Sequence, residues 1–370
     1  MTKAHTRKAV NRIAVGLSGG VDSAVTAALL LRAGHAVCGV TMQFWTGKIK
    51  FKSVRPSACF GPGETEDIAS AREVAAFLGI PHKVIPLAGE YEAKVLGYYR
   101  AEYLAGRTPN PCVVCNALIK FGALWDALES AGVKYDLLAM GHYARVEYDA
   151  PANIFRLRQG IDQSKDQSYF LHRLSQRQLS RAILPLGNMR KKDVIAEALK
   201  MKLPRVAERK QSQDFIESAD HGPLFEGQNV PPGKIIDSRG RQLGLHRGLV
   251  HYTIGQRDGL GISAGERMYV KKISAGDNTI VIGKRDELMA TETVIRDAHW
   301  ISGFPPDREF ACTVRLRYRH GGVHSRVALA GNDAARIIFD EAQFAVTPGQ
   351  AAVFYDGDEV LGGGWIAADT

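Results

Sequence analysis

Apolar and polar positions divide this chain into stretches of different period. Early on, short apolar runs alternate with longer segments whose apolar residues recur every three to four positions. RIAVGLS (12–18), HAVCGVTMQFW (35–45), HKVIPL (82–87) and YDLLAMGHYARV (135–146) read as strands. DSAVTAALLLRAG, ETEDIASAREVAAFLG, EYEAKVLGYYRAEYLAG and NALIKFGALWDALESAG read as helices. Gly34 stands where the first helix should stop, and the acidic start of ETED suits a helix N-terminus. Strands alternating with helices predict an α/β unit built on a doubly wound parallel sheet. From about 165 to 210 the chain is basic with helical spacing, as in SQRQLSRAILPLGNMRKKDVIAEALKMKL. Beyond about 211 short strands are punctuated by Gly and Asp-Asn, which predicts a β-rich unit and then a small barrel or sandwich.

Composition narrows the picture. The chain has 370 residues, enough for two or three domains, and 45% hydrophobic residues, enough for a core without disulfide staples. A net charge of +9 suits a polyanionic partner. The five cysteines, Cys38, Cys59, Cys112, Cys115 and Cys312, are too sparse for a secreted disulfide framework. The basic N-terminus has no signal-peptide core, and no apolar run predicts a membrane span, so a cytoplasmic protein without membrane contact is expected.

The first chemical signal is AVGLSGGVDSAV, a strand, a turn and a helix. Gly16, Leu17, Ser18, Gly19, Gly20, Val21, Asp22 and Ser23 form a loop at the C-terminal end of the first strand, where open parallel sheets bind ligands. Its glycines permit close approach, and its hydroxyls and helix-start amides favour an anion. It is not G-x-x-x-x-G-K-[ST] and holds no lysine to reach terminal phosphates. The spacing suits a pyrophosphate, with Asp22 near a magnesium ion. The second signal is RTPNPCVVCNALIKFG, with Cys112 and Cys115 two residues apart.

SGGVDS resembles the loop of the PP-loop ATP pyrophosphatases, an adenine nucleotide alpha hydrolase-like fold. With NPCVVCN, GHYAR (141–145), KDQSYFL (165–171), HYTIGQRDGLGI (251–262) and LRYRH (316–320), in that order, the chain resembles the tRNA-specific 2-thiouridylases. The resemblance implies three domains: a PP-loop domain over 1–215 that includes the basic part at 165–210, a small central domain over 216–290, and a C-terminal β-barrel over 291–370. It implies that ATP and Mg2+ serve to adenylate the C2 carbonyl oxygen of the wobble uridine in tRNAs of the Lys, Glu and Gln type. A sulfur from a donor or relay protein then displaces AMP.

By position, the resemblance places Met42 and Gly141 on the adenine side. It sets Asn110, Pro111 and Cys112 at the target base and makes Cys115 the catalytic cysteine. His142, Lys165, Asp166, Gln167, Arg317, Tyr318, Arg319 and Gln350 fall at tRNA-contact positions. Cys115, just before a helix expected to begin near Asn116, should be favoured as a thiolate. The resemblance also marks two departures: Cys112 stands where many members of that family carry Asp, and KQSQDFIESAD (210–220) lacks the cysteine that many of them carry there. Three readings follow. Cys59, Cys112 and Cys115 hold a [4Fe-4S] cluster with one open iron; Cys112 and Cys115 act as a redox pair; or zinc binds there with a histidine. The cluster is preferred, and zinc ranks last. Cys38 and Cys312 read as packing residues. The rivals are another PP-loop ligase that modifies tRNA or forms amides, and a non-enzymatic tRNA-binding protein.

Overall fold

The computed structural model describes residues 10–51, 58–204, 214–218, 220–262, 265–331 and 333–368. The chain opens with β1 (Arg12–Gly16), α1 (Val21–Arg32), β2 (Ala36–Gln43), β3 (Ala58–Phe60), α2 (Glu64–Leu78), β4 (His82–Pro86), α3 (Ala88–Tyr91), α4 (Gly97–Leu104), α5 (Pro111–Cys115), α6 (Leu124–Ser130) and β5 (Leu137–Ala139). It continues with β6 (Ala144–Asp149), β7 (Ile154–Gln159), α7 (Gln176–Leu179), β8 (Ala182–Ile183), α8 (Lys191–Lys200) and β9 (Asp214–Ile216). The order β4–β2–β1–β5–β8 makes one parallel sheet, as the alternating pattern predicts. Alternation along β1 shows why the sheet is covered twice. Ile13 and Val15 pack with Ala27, Leu30, Ala71 and Ala75 on one face. Ala14, between them, packs with Val113, Leu124 and Leu128 on the other. Because β1 has neighbours reached in both directions, its C-terminal end is the switch point of the sheet.

The segment from 165 to 204 differs from the helical reading. It is a 3-10 turn at Ser168–Leu171, the short α7, strand β8, a second 3-10 turn at Pro185–Asn188, and α8. Pro185 opens that second turn and cannot continue a helix, and Ala182–Ile183 is captured as the fifth strand of the sheet. YDLLAMGHYARV is likewise divided: β5 joins the parallel sheet, whereas β6 leaves it.

A four-stranded sheet in the order β11–β10–β13–β12 follows, from β10 (Gly233–Asp237), β11 (Gln242–His246), β12 (Tyr269–Ser274) and β13 (Thr279–Gly283). The last unit contains β14 (Met289–Trp300), β15 (Glu309–Arg315), β16 (Val323–Leu329), β17 (Ala334–Phe344), β18 (Ala351–Asp356) and β19 (Glu359–Ile366). β14 pairs with both β17 and β19, which closes a six-stranded barrel around Val314, Val327, Ile337 and Phe354. The β6–β7 hairpin then adds to β19 through Leu157 and Arg158. Arg156 and Arg158 bind Glu359 and Asp358 across that junction at 2.5 and 2.6 Å. The first α/β unit is thereby stitched to the barrel by a strand of its own.

Candidate active site

The phosphate loop is held shut by its own hydroxyls. Ser18 N donates to Ser23 Oγ at 3.2 Å, and Ser23 Oγ donates to Gly20 O at 3.0 Å. Gly19 has φ +74°, a conformation that favours glycine, and its carbonyl accepts Ser70 Oγ at 3.0 Å. Among the described residues no side chain caps the first turn of α1, which leaves its amides for an anion. Leu17 is tied to β2 through Val40 O, and Val21 is buried against α8. A side chain at Gly16 would lie 2.5 Å from Met140 Sδ, and one at Gly141 would lie 3.0 Å from the Asp22 carbonyl carbon. Gly141 therefore presses directly on the loop. Met42, half-buried on β2, is paired with Ile85 at the same end of the sheet.

Asp22 does not stand open as its expected position near a magnesium ion suggests. Its Oδ1 accepts Tyr143 Oη at 2.7 Å and Lys191 Nζ at 2.6 Å. Tyr143 is held far above its ordinary phenol value, by burial first and then by the Asp22 charge. Nothing in the motif pattern pointed to Lys191, which is distant in sequence and reaches the loop only through tertiary packing.

The cysteines sit elsewhere than expected along their helix. Residues Pro111–Ser130 form one helix, with Asn110 Oδ1 accepting Val113 N at 3.4 Å and Pro111 in the first turn. Cys112 is in that turn, and Cys115 lies one turn inside rather than ahead of the helix. The helix is long and apolar enough to cross a membrane, yet 61% of its most apolar window is buried inside the fold, so it is a core helix. The thiolate expectation is also overturned. Burial pushes Cys115 up to about 11 and Cys112 up to about 12. A helix N-terminus is worth at most about 1–2 kcal/mol, and desolvation of a buried thiolate exceeds it.

Lys120 opposes that penalty at both thiols. It is brought round by a π-helical stretch, Asn116–Ala123, in which i to i+5 bonding places residues five apart on one face. That stretch has its own support: Gln178 Nε2 donates to Ala117 O and Phe121 O, each at 2.8 Å. Lys120 also bears on His142, whose ring centroid lies 6.1 Å from that of Phe121. His142 is buried and held neutral, well below its usual value, by desolvation first and Lys120 second. Its Nδ1 and the Oδ1 of Asn116 are buried with no partner among the described residues. Gly141 touches the loop and His142 faces the cysteine helix, so one dipeptide spans the two chemical signals.

Cys59 lies on β3, which pairs in parallel with β9: Ala58 opposite Asp214 and Phe60 opposite Ile216. Part of the 210–220 segment lies outside the described residues, but its strand runs beside Cys59. Glu217, 2% exposed, donates its amide to Phe60 O and accepts Gly63 N at 2.7 Å. A side chain on Gly61 or Gly63 would lie 2.5 Å or less from that carboxylate, so GPG is a cradle for it. Cys59, Cys112 and Cys115 lie in one another's fields, and all three act on buried Tyr91. Even so, no three His, Cys, Asp or Glu among the described residues are gathered closely enough to hold an ion. In this arrangement the three thiols fit neither a cluster nor zinc. Cys38 and Cys312 pack within strands, each raised by burial.

The positions expected to meet tRNA divide. Arg317 and Arg319 are exposed, and the Tyr318 ring lies tilted against Phe170, centroids 4.4 Å apart, within the field of Cys112. Gln350 Nε2 donates to Thr108 O and Pro109 O at 3.1 and 3.0 Å, so the barrel grips the extended loop leading to buried Asn110 and Pro111. Half-buried Gln167 exchanges hydrogen bonds with the Tyr143 backbone, next to half-buried Lys165. Asp166 corrects the expectation of a tRNA contact. It is 3% exposed, accepts Gly160 N, Ser168 N and Ser168 Oγ, and pairs with Arg315 at 2.9 Å.

Comparison with known proteins follows this division of the chain. Residues 11–217 match a family described as tRNA methyl transferase HUP domain, 224–284 its PRC-barrel domain, and 290–366 an aminomethyltransferase beta-barrel domain. A tRNA-specific 2-thiouridylase MnmA of Chloroflexus aurantiacus is 42% identical over 360 residues, covering 96% of this chain and 98% of its own. Another, from Endomicrobium trichonymphae, is 41% identical over 358 residues with the same coverage. A solved 4-thiouridine synthetase in complex with RNA and ATP is 16% identical at a TM-score of 0.33, covering 56% of this chain and 44% of that one; this likeness is too low to carry an argument. The domain descriptions mention methyl transfer, whereas these relatives are named tRNA-specific 2-thiouridylases.

Proposed function

We infer the reaction from one premise: this chain belongs to the family of tRNA-specific 2-thiouridylases. It is an ATP-dependent sulfurtransferase that converts a tRNA uridine to 2-thiouridine. The observation that carries this reading is the Gly141–His142 dipeptide, which joins a phosphate loop to a cysteine helix.

The loop Gly16–Ser23 binds ATP, with Met42 and Gly141 beside the adenine. The uridine C2 oxygen attacks the α-phosphorus, and pyrophosphate leaves. Asp22, whose Oδ1 accepts Tyr143 and Lys191, would hold a magnesium ion through its carboxylate, and the ion would supply charge neutralisation for the phosphates. The base is the wobble uridine of Lys, Glu and Gln tRNAs, held near Asn110, Pro111 and Cys112. The Nδ1 of His142 and Oδ1 of Asn116, without a partner among the described residues, support recognition of a polar base edge. Arg317, Tyr318, Arg319 and Lys165 meet the tRNA, and Gln350 positions the 108–110 loop.

A donor protein loads Cys115 as a persulfide. Its terminal sulfur attacks C2, and AMP leaves with the former carbonyl oxygen. Cys112 then attacks the inner sulfur, which frees the thiocarbonyl and leaves a Cys112–Cys115 disulfide for an external thiol to reduce. The cluster is not carried further, because no three His, Cys, Asp or Glu side chains among the described residues are gathered to hold it; iron analysis of anaerobically purified protein should find none. The protein works in the cytoplasm, with domains over 1–215, 216–290 and 291–370.

The test is incubation with unmodified tRNA, ATP, magnesium, a persulfide-carrying donor protein and a thiol reductant, followed by nucleoside mass analysis. 2-Thiouridine is expected; its absence, with pyrophosphate release intact, would favour another PP-loop ligase. A tRNA-binding protein without enzymatic activity would release no pyrophosphate.

A further inference from the structure

The phosphate loop has no lysine in its motif, yet an ammonium group stands against it. Lys191 opens α8, and its Nζ lies 2.6 Å from Asp22 Oδ1. Its side chain is only 13% exposed, against 74% for Lys200 at the far end of the same helix. A surface lysine that merely solubilised the helix would not be sequestered in this way.

Three features hold it there. Val194 and Ala198 pack with Val21, Ala24 and Val25, which lays α8 along α1 and brings its first residue to the loop. The Lys191 amide donates to Asp162 Oδ2 at 2.9 Å, so the backbone is clamped. The Tyr143 ring lies 5.8 Å from Nζ, and its hydroxyl shares the Asp22 oxygen. The four-carbon stem is left as the part able to move.

A bound triphosphate concentrates several negative charges on a loop whose motif supplies only amides and hydroxyls. A lysine is a compact cation that can exchange one anionic partner for another with little change of backbone. We propose that Lys191 is the phosphate-binding cation of this loop, parked on Asp22 without nucleotide and transferred to the β- and γ-phosphates when ATP binds. It does the work of a P-loop lysine from a helix remote in sequence. This rests on the ATP-dependent reading above and adds a residue to it.

The test compares the full-length protein with Lys191→Met and Lys191→Arg by equilibrium dialysis against ATP and AMP in magnesium. Lys191→Met should weaken ATP by about 10- to 100-fold, the size of one charge-assisted hydrogen bond, and leave AMP within about twofold. Lys191→Arg should recover most of the ATP affinity. Unchanged AMP binding also shows that the variant has folded. Equal losses for ATP and AMP would overturn the proposal, because the lysine would then only shape the loop. Unchanged ATP binding by Lys191→Met would overturn it while leaving the ATP-dependent reading intact. A parent protein that binds neither nucleotide would overturn both.

Discussion

Replacing Asp166 with Ala separates a structural bolt from an RNA contact. Its carboxylate takes two backbone amides, one hydroxyl and the Arg315 guanidinium, and it joins the segment after β7 to barrel strand β15. Arg315 is itself only 16% exposed and lies over the Tyr355 ring at 4.6 Å. Removing one member of a buried pair strands the other, at a cost of about 3–5 kcal/mol. For a unit of a few hundred residues that corresponds to a fall in melting temperature of roughly 6–20 °C. Calorimetry is the assay, with tRNA filter binding run well below the transition. Asp166→Leu combined with Arg315→Met should recover much of the loss, since no charge is then left unpaired. Affinity for tRNA and its salt slope should stay within about twofold for Asp166→Ala, because a group that does not reach phosphate releases no counterions. A tenfold loss of tRNA affinity with unchanged melting would refute the bolt and restore the contact.

Four further outcomes follow from the site. The Cys115 thiol is raised by burial, so its thiolate appears only at higher pH; the 240 nm difference between parent protein and Cys115→Ser should show no ionisation step below pH 9.5. A step centred at 9 or lower would contradict the burial argument. Gln178→Ala removes the donor to two π-helix carbonyls and should lower sulfur transfer about tenfold while leaving pyrophosphate release unchanged, read by nucleoside analysis and a phosphate assay. Gly141→Ala drives a methyl to 3.0 Å from the loop backbone and should weaken ATP binding by about tenfold or more in dialysis. Cys115→Ala should abolish 2-thiouridine while adenylation of tRNA persists; full thiolation by this variant would remove it from the mechanism.

The alternation along β1, the glycine loop and the NPCVVCN stretch were legible because each is local. Period, turn chemistry and motif spacing operate over a few residues, and those alone determined the parallel sheet, the glycine turn after its first strand and the spacing of the two cysteines. Tertiary structure decided the rest. Lys191 reached Asp22 only because an apolar face laid α8 on α1. Asp166 went from a polar residue of a plausible contact motif to a buried bolt because β15 brought Arg315 to it. The thiols became poor acids because the core closed over them, and the π-helical turn that offers them Lys120 depends on a glutamine from another helix. Charge partners and burial are set by residues far apart in the chain, and no local pattern encodes which of them will meet.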